Sequence, residues 1–440
     1  MCKRTAAYLF LMSGLVLAVL SCGGSGGGGS SGGSGDTPTP SADTVTITGA
    51  FSGVRASVEA LDSASPQKLD FNANQVAKVL VVGPQKLTIS SLGAGISYHS
   101  QLVPVTNGTF SVRVGKDTPV GMIFVREDNG YLGYLSLKNG ISSLPMSMVK
   151  GNVNTIDLGR LTISGNIVEP SNDPFSSAIE MTASELQAYG YYSSMFTIVR
   201  NPDVDGNGVI DLLESKRFFA QIIYTFTAGS FDGNLTPTLT PLQSQEYFLD
   251  FFASESTCPS SVSVTGPEGS PFATPTTLNQ TLYGSLCSQE YRSNDSTLLP
   301  GGTYKVQYPD PTITLNYNIP DQTMLTSDMV LIVPAVTLNP NGTIKKISWT
   351  YQLNKTGESV DPTSIIGLIR INMSSSVPVR DCGSNPTCDP YGLSTIFADP
   401  ANAPELDVSD KNIVWSQINL LIMGYDDLFG SLYNFNYTNF

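Results

Sequence analysis

The sequence predicts a mainly β protein, with two or more β-sandwich modules and one short helical insert between them. Short runs of alternating apolar and polar residues, separated by turn residues, recur on both sides of residue 200, and such alternation indicates strands with one buried face. Helix-start signals concentrate around residues 182–199. The chain from about residue 44 is long enough to form two or three separate cores.

Residues 1–21 have the organisation of a secretion signal. Lys3 and Arg4 precede an apolar run from residue 6 to residue 20, which is shorter than the roughly 20 residues that a membrane-spanning helix needs. Residues 22–43 are rich in Gly, Ser and Pro and predict a flexible tether. The segment Val19-Leu20-Ser21-Cys22 resembles the lipobox of bacterial lipoproteins.

The lipoprotein resemblance implies that the signal is removed and that lipid is attached to Cys22, so that the membrane is a partner of the protein. Gly23 follows, not the Asp that resembles an inner-membrane retention signal, and this favours the outer membrane, with either face possible. A cleaved signal followed by an incidental Cys22 is the alternative.

The charge of the chain excludes one class of partner. The formal net charge is −14, and removal of residues 1–21 takes away Lys3 and Arg4 and no acidic residue, which leaves −16. A surface of this sign repels nucleic acid and attracts cations. We therefore expect no nucleic-acid partner.

Residues 44–166 are predicted to form the first β-sandwich module. Asn107-Gly108 and Asp128-Asn129-Gly130 are hairpin signals between alternating runs. The segment 105–112, followed by 116–125, resembles the small prealbumin-like modules of exported proteins, which implies a spacer or binding role. The predicted strands are Val45–Phe51, Lys78–Val82, His99–Val105, Thr109–Val114, Met122–Arg126, Tyr131–Leu137 and Ile156–Ser164.

Residues 167–227 are predicted to form the helical insert. Thr182 and Glu185 have the spacing of a capping box. The apolar positions that follow are expected to face a core: Leu186, Tyr189, Met195, Phe196 and Val199. After residue 214 we expect a short helix through Lys216 and Phe218, and then a strand over residues 221–227.

Within this insert, residues 203–214 have the residue types and spacing of a calcium loop. Ca²⁺ takes six to eight oxygen ligands, and a twelve-residue loop supplies them from positions 1, 3, 5, 7, 9 and 12, with Gly at position 6. Gly208 is at position 6, and the apolar Ile210 is at position 8. The predicted ligands are Asp203, Asp205, Asn207, the main-chain carbonyl of Val209, Asp211 and Glu214.

The loop resembles the EF-hand family and its extracellular dockerin-type relatives. Regulatory EF-hands usually work in pairs, and no second complete loop occurs in the sequence, so we expect one structural Ca²⁺. The alternative is an ordinary acidic turn, because Asp, Asn and Gly are also common in surface turns.

Residues 228–440 are predicted to form a C-terminal β-sandwich region of one or two units. The segment 299–306 is similar to a strand entry in immunoglobulin-like and fibronectin-type sandwiches, and Trp349 and Trp415 are expected to be core residues of strands. The predicted strands are 247–253, 261–265, 302–308, 312–317, 329–338, 344–352, 365–373, 412–423 and 431–437.

Four cysteines remain after Cys22, and in an exported protein an even number predicts disulfides. Sequence proximity favours pairing Cys258 with Cys287 and Cys382 with Cys388. A zinc site is the weaker interpretation, because the cysteines lack Cys-x-x-Cys spacing.

The sequence gives little support for catalysis. His99 is the only histidine, and no nucleophile, zinc-protease or phosphate-loop motif accompanies it. We therefore expect a non-enzymatic, lipid-anchored calcium-binding protein of the bacterial cell envelope, with a structural or binding role. The alternatives are a calcium-dependent carbohydrate-processing hydrolase and a calcium-dependent adhesin with a protein or glycan ligand.

Overall fold

The computed structural model describes residues 44–51, 75–85, 97–214, 218–253, 260–283, 286–293, 299–309, 314–319, 329–378, 391–397 and 404–439. The predicted signal, the tether, Cys22, Cys258, Cys382 and Cys388 lie outside these ranges. Over the described residues the protein is mainly β, as the alternation predicts, and its strands form three sheets.

The first sheet contains nine strands of the described chain, in the order β3-β2-β5-β6-β9-β8-β1-β4, with β7 beside β5. Most neighbours are antiparallel, but β1 with β8 and β6 with β9 are parallel. The strands are β1 (Thr44–Phe51), β2 (Lys78–Gln85), β3 (Ser97–Pro104), β4 (Thr109–Gly115), β5 (Val120–Val125), β6 (Tyr131–Leu135), β7 (Ser143–Leu144), β8 (Thr155–Ser164) and β9 (Ile167–Pro170).

The two strands at opposite ends of this sheet, β3 and β4, are consecutive in the chain. Asn107 and Gly108 join them with φ of 53° and 74°, which are the positive angles of a type I′ hairpin turn. Thr106 and Thr109 exchange main-chain hydrogen bonds of 2.8 and 3.0 Å across this turn. The sheet therefore curls round and encloses its apolar face, where Val45, Ile47 and other residues are fully buried.

Three short helices follow, named α1 (Pro174–Ser177), α2 (Ala183–Ser194) and α3 (Thr197–Arg200). The predicted capping box is confirmed at the start of α2: Glu185 N donates to Thr182 Oγ1 at 3.2 Å, and Thr182 N donates to Glu185 Oε2 at 2.7 Å. The predicted core face is confirmed as well, because Tyr189 and Phe196 are fully buried.

The second and third sheets are built from the rest of the chain, and their described strands follow the orders β16-β15-β12-β13-β14-β11-β10-β23-β22-β19-β20 and β17-β18-β21. They are β10 (Phe218–Ser230), β11 (Thr238–Ala253), β12 (Ser261–Thr265), β13 (Thr276–Tyr283), β14 (Leu286–Ser293), β15 (Gly302–Gln307), β16 (Thr314–Ile319), β17 (Val330–Leu338), β18 (Ile344–Leu353), β19 (Ile366–Ser375), β20 (Gly392–Phe397), β21 (Glu405–Asp407), β22 (Ile418–Asp427) and β23 (Ser431–Thr438).

Short 3₁₀ turns complete the described elements, at Lys138–Gly140, Met146–Met148, Asp211–Leu213, Pro362–Ser364, Ser409–Lys411 and Trp415–Gln417. The last of these corrects the predicted strand over residues 412–423, since β22 starts only at Ile418. Trp415 is nevertheless a core residue, as expected, because its ring packs edge-on against Phe231 with centroids 4.8 Å apart.

The segment after residue 214 also differs from the short helix that we expected there. Phe218 begins β10 and is not helical, because its main chain pairs with Ala253 of β11. Lys216 lies outside the described residues. The three helices and the acidic loop lie between Pro170, where the first sheet ends, and Phe218, where the second begins.

Helix α2 connects the first two sheets through buried hydroxyl and aromatic groups. Tyr189 Oη lies 2.6 Å from Ser143 Oγ in the first sheet, and the Tyr189 ring packs edge-on against Phe429. Tyr192 hydrogen-bonds to Tyr425 of β22. No helix within the described ranges is long and apolar enough to cross a membrane.

Candidate metal centre

The loop from Asp203 to Glu214 follows α3, and its last residues form the 3₁₀ turn Asp211–Leu213. Asn201 and Pro202 end α3, because proline disfavours helical geometry in the residue before it. Asp211 N donates to Pro202 O at 2.9 Å and closes the loop. Ile210, at position 8, is fully buried, so its side chain anchors the loop in the core.

Main-chain amides fold the loop back on its own acidic side chains. Gly208 N donates to Asp203 Oδ2 at 2.9 Å, and Asn207 N donates to Asp205 Oδ1 at 3.1 Å. Val209 N donates to Asn207 Oδ1 at 2.7 Å. Gly208 has φ of 87°, a left-handed conformation that a side chain would disfavour.

This folding brings three of the predicted ligands together. Asp203, Asp205 and Asp211 each place one carboxylate oxygen within 4.8 Å of the other two. Asp211 is only 6% exposed. Within the described part of the chain, Asp203 Oδ1 and Asp211 Oδ1 are buried without a hydrogen-bond partner, and such atoms are rare unless a water or an ion satisfies them.

The electrostatics of the cluster follow from its burial. Burial is the main cause that raises the pKa of Asp211, the hydrogen bond from Val204 N opposes it, and the charges of nearby acidic residues add to the rise; together they bring the pKa to about 7. Burial and the Asp205 charge likewise raise the pKa of Asp203. The carboxylates therefore repel one another, and a cation among them would relieve that repulsion.

The remaining predicted ligands lie beside this cluster. Asn207 Nδ2 donates to Asp205 Oδ2 at 3.0 Å and to the two oxygens of Glu214 at 3.1 and 3.2 Å. Glu214 is thus held at the loop by Asn207, outside the group of three carboxylates. Val209, at position 7, has an isolated β-bridge with Gly130.

All donors in this loop are oxygen atoms of carboxylates, an amide and a main-chain carbonyl. Hard cations such as Ca²⁺ prefer these ligands, whereas Zn²⁺ prefers Cys and His. The loop therefore fits a hard cation in donor type.

The loop also contacts the two large sheets, which the sequence could not indicate. Gly130, in the turn between β5 and β6, bridges Val209. On the other side, Asn316 N of β16 donates to Val204 O at 2.7 Å. The residues of these pairs are too far apart in sequence for any local pattern to connect them.

Other predicted site residues are not part of this centre. His99 is an exposed residue of β3 and does not belong to the acidic cluster. Cys287 belongs to β14, and its predicted disulfide partner lies outside the described residues. The disulfide predictions therefore stay predictions.

A second buried carboxylate, that of Asp427, is not among the site residues that the sequence predicted. Asp427 is fully buried, and its Oδ1 accepts hydrogen bonds of 2.8 Å from both Phe429 N and Ser431 N. Burial raises its pKa to about 7, although those two bonds and the Tyr433 hydroxyl lower it. Its neighbour Asp426 forms a buried ion pair with Arg370, with two contacts of 2.6 Å.

Comparison with known proteins leaves the acidic loop as the main guide to function. No protein-family model matches the chain. No curated protein matches it either. The function therefore has to be inferred from the chemistry of the loop and from the organisation of the sequence.

Proposed function

We propose that this is an exported, lipid-anchored protein of the bacterial cell envelope, in which one Ca²⁺ ion stabilises the connection between two β units. The role is structural or binding rather than enzymatic. The observation that carries the calcium proposal is the cluster of Asp203, Asp205 and Asp211, two of which present buried oxygens without a partner in the described chain.

The chemistry of the loop supports calcium over other common ions. The loop can supply carboxylate oxygens from Asp203, Asp205, Asp211 and Glu214 together with the side-chain oxygen of Asn207. Such a set suits the six to eight oxygens of a Ca²⁺ shell, whereas Mg²⁺ requires near-ideal octahedral geometry and retains several waters. When bound, the ion supplies positive charge that neutralises the buried carboxylates.

The position of the loop supports a structural role. Its main chain pairs with Gly130 on one side and with Asn316 on the other, so an ion that fixes the loop also fixes the contact of the two sheets. The envelope location and the lipid anchor on Cys22 are proposed from the sequence alone. An extracellular module would bind with Kd on the order of 10⁻⁴ to 10⁻³ M, which suits a permanently filled site outside the cell.

A thermal melt at increasing calcium concentration tests the proposal. A ligand that binds only the folded state adds about 2.7 kcal/mol at a hundredfold excess over Kd, so the midpoint should rise with calcium and fall back in chelator. Magnesium at equal concentration is the control and should have a smaller effect. A midpoint that does not respond to calcium would refute the calcium site and leave an acidic turn.

A further inference from the structure

Among the strands that the structure describes, β16 is the end strand of the second sheet. Its sequence, Thr-Leu-Asn-Tyr-Asn-Ile, contains no charged residue and no proline. Natural proteins protect edge strands with charges, prolines, bulges or covering segments, because an open edge can pair with another chain. Because β16 has neither a charged residue nor a proline, we expect a segment that covers its edge.

The acidic loop provides that cover at Asn316, in the middle of the strand. Asn316 N donates to Val204 O at 2.7 Å, and Asn316 O accepts a hydrogen bond from Asn201 Nδ2. Val204 lies between two of the proposed ligands, Asp203 and Asp205, and its own N–H donates to Asp211 Oδ2 at 3.1 Å. The peptide that covers β16 is therefore part of the acidic loop itself.

Loss of the ion would weaken this cover. Three carboxylates whose oxygens lie within 4.8 Å repel one another when they are ionised and no cation lies among them. The loop can relieve that repulsion by opening, and opening would break the hydrogen bond between Val204 and Asn316. The edge of β16 would then present unpaired main-chain groups.

We propose that calcium controls whether β16 is open to antiparallel pairing with β16 of a second copy of this chain. The proposal rests on the calcium site described under Proposed function. The partner is a second copy because an uncharged edge is complementary to itself about a twofold axis, which is the commonest symmetry of protein dimers. With calcium the edge is covered and the protein stays a monomer; without calcium it dimerises.

The register of β16 indicates a variant that blocks the edge without breaking the sheet. The main-chain N–H and C=O groups of Asn316 point away from β15. The direction of these groups alternates from one residue to the next along a strand, so those of Asn318 point to the same outer side. Asn318→Pro removes the outer N–H and no hydrogen bond to β15. Asn318→Ala keeps that N–H and is the matched control, because both variants lose the same contact with Thr303 Oγ1.

The experiment measures the molar mass of the full chain in a mild detergent by light scattering after size-exclusion chromatography, in calcium and in chelator. We expect a monomer in calcium, and twice that mass in chelator for the natural chain and Asn318→Ala. Asn318→Pro should stay monomeric in both conditions. Calcium melts of all three proteins show that the site and the fold are retained.

The outcomes separate this inference from the function on which it rests. A midpoint that rises with calcium while the mass stays unchanged in chelator would overturn the edge proposal and leave the calcium site intact. Dimers of Asn318→Pro in chelator would show that another surface associates, and would also overturn it. If calcium changes neither the midpoint nor the mass, both proposals are wrong.

Discussion

Replacing Asp427 by Asn should reveal how the buried carboxyl group links stability to pH. Asp427 is fully buried at the turn between β22 and β23, where its Oδ1 accepts hydrogen bonds from two main-chain amides. Asn can keep both bonds through its own side-chain oxygen. The substitution therefore removes the titration of this group while preserving its two main-chain hydrogen bonds.

The magnitude follows from the pKa of Asp427, which burial raises from 3.8 to about 7. Between these values the folded protein holds a proton that the unfolded chain has lost, so the free energy of unfolding falls as pH rises. About three pH units at 1.36 kcal/mol each give a contribution of about 4 kcal/mol, present in full below about pH 4 and lost above about pH 7. Asn at this position has no such contribution to lose.

Chemical denaturation in saturating calcium, from about pH 4 to about pH 8, measures this contribution as the difference between the natural chain and Asp427→Asn. The other titrating groups are common to both proteins, so their contributions largely cancel in the difference. We expect Asp427→Asn to gain stability relative to the natural chain as pH rises. Asp232→Asn, at an exposed turn, is the control. A difference that stays constant across the range would refute the reasoning.

Two further predictions concern the acidic loop and the buried ion pair of Asp426 with Arg370. Glu214→Gln removes one charge and weakens bidentate ligation, so calorimetric titration with calcium should show a lower affinity. Asp232→Asn is the control and should bind calcium as the natural chain does. Equal losses of affinity in the two variants would contradict the ligand assignment. Arg370→Met leaves the buried Asp426 unpaired and should cost about 3–5 kcal/mol in denaturant unfolding, because a buried charge without a partner is strongly destabilising. Lys346→Met breaks a solvent-exposed pair and should cost no more than about 1 kcal/mol; similar costs at the two sites would show that burial is not the deciding factor.

Much of the β architecture could be predicted from local patterns. The alternation in β1 and β12 predicted their strands to within one residue, because one face of each is buried and the other is partly exposed. β13 and β14 were missed, since their sequences, TTLNQTLY and LCSQEYRS, lack an alternating apolar face. Trp415 was placed in a strand because periodicity cannot distinguish a buried 3₁₀ turn from the end of a strand.

The candidate site was predictable to the extent that it is local. The acidic loop carries its proposed ligands within twelve consecutive residues, so spacing alone identified it. The surroundings of Asp427 were not predictable, because Tyr191, whose pKa is raised mainly by burial and in part by the Asp427 charge, belongs to α2, far away in the chain. Long-range pairing of this kind leaves no sequence period to detect.

The place of β23 in the second sheet has a consequence for how the chain folds. β23 lies between β10 and β22, parallel to β10, so that Ile222 pairs with Ser431. Contacts between residues this far apart along a chain close large loops and make folding slow. Until β23 arrives, β10 presents an open edge with several large aromatic residues. A chain that emerges gradually would therefore need protection from aggregation, for example by a holding chaperone, until this late strand has been delivered.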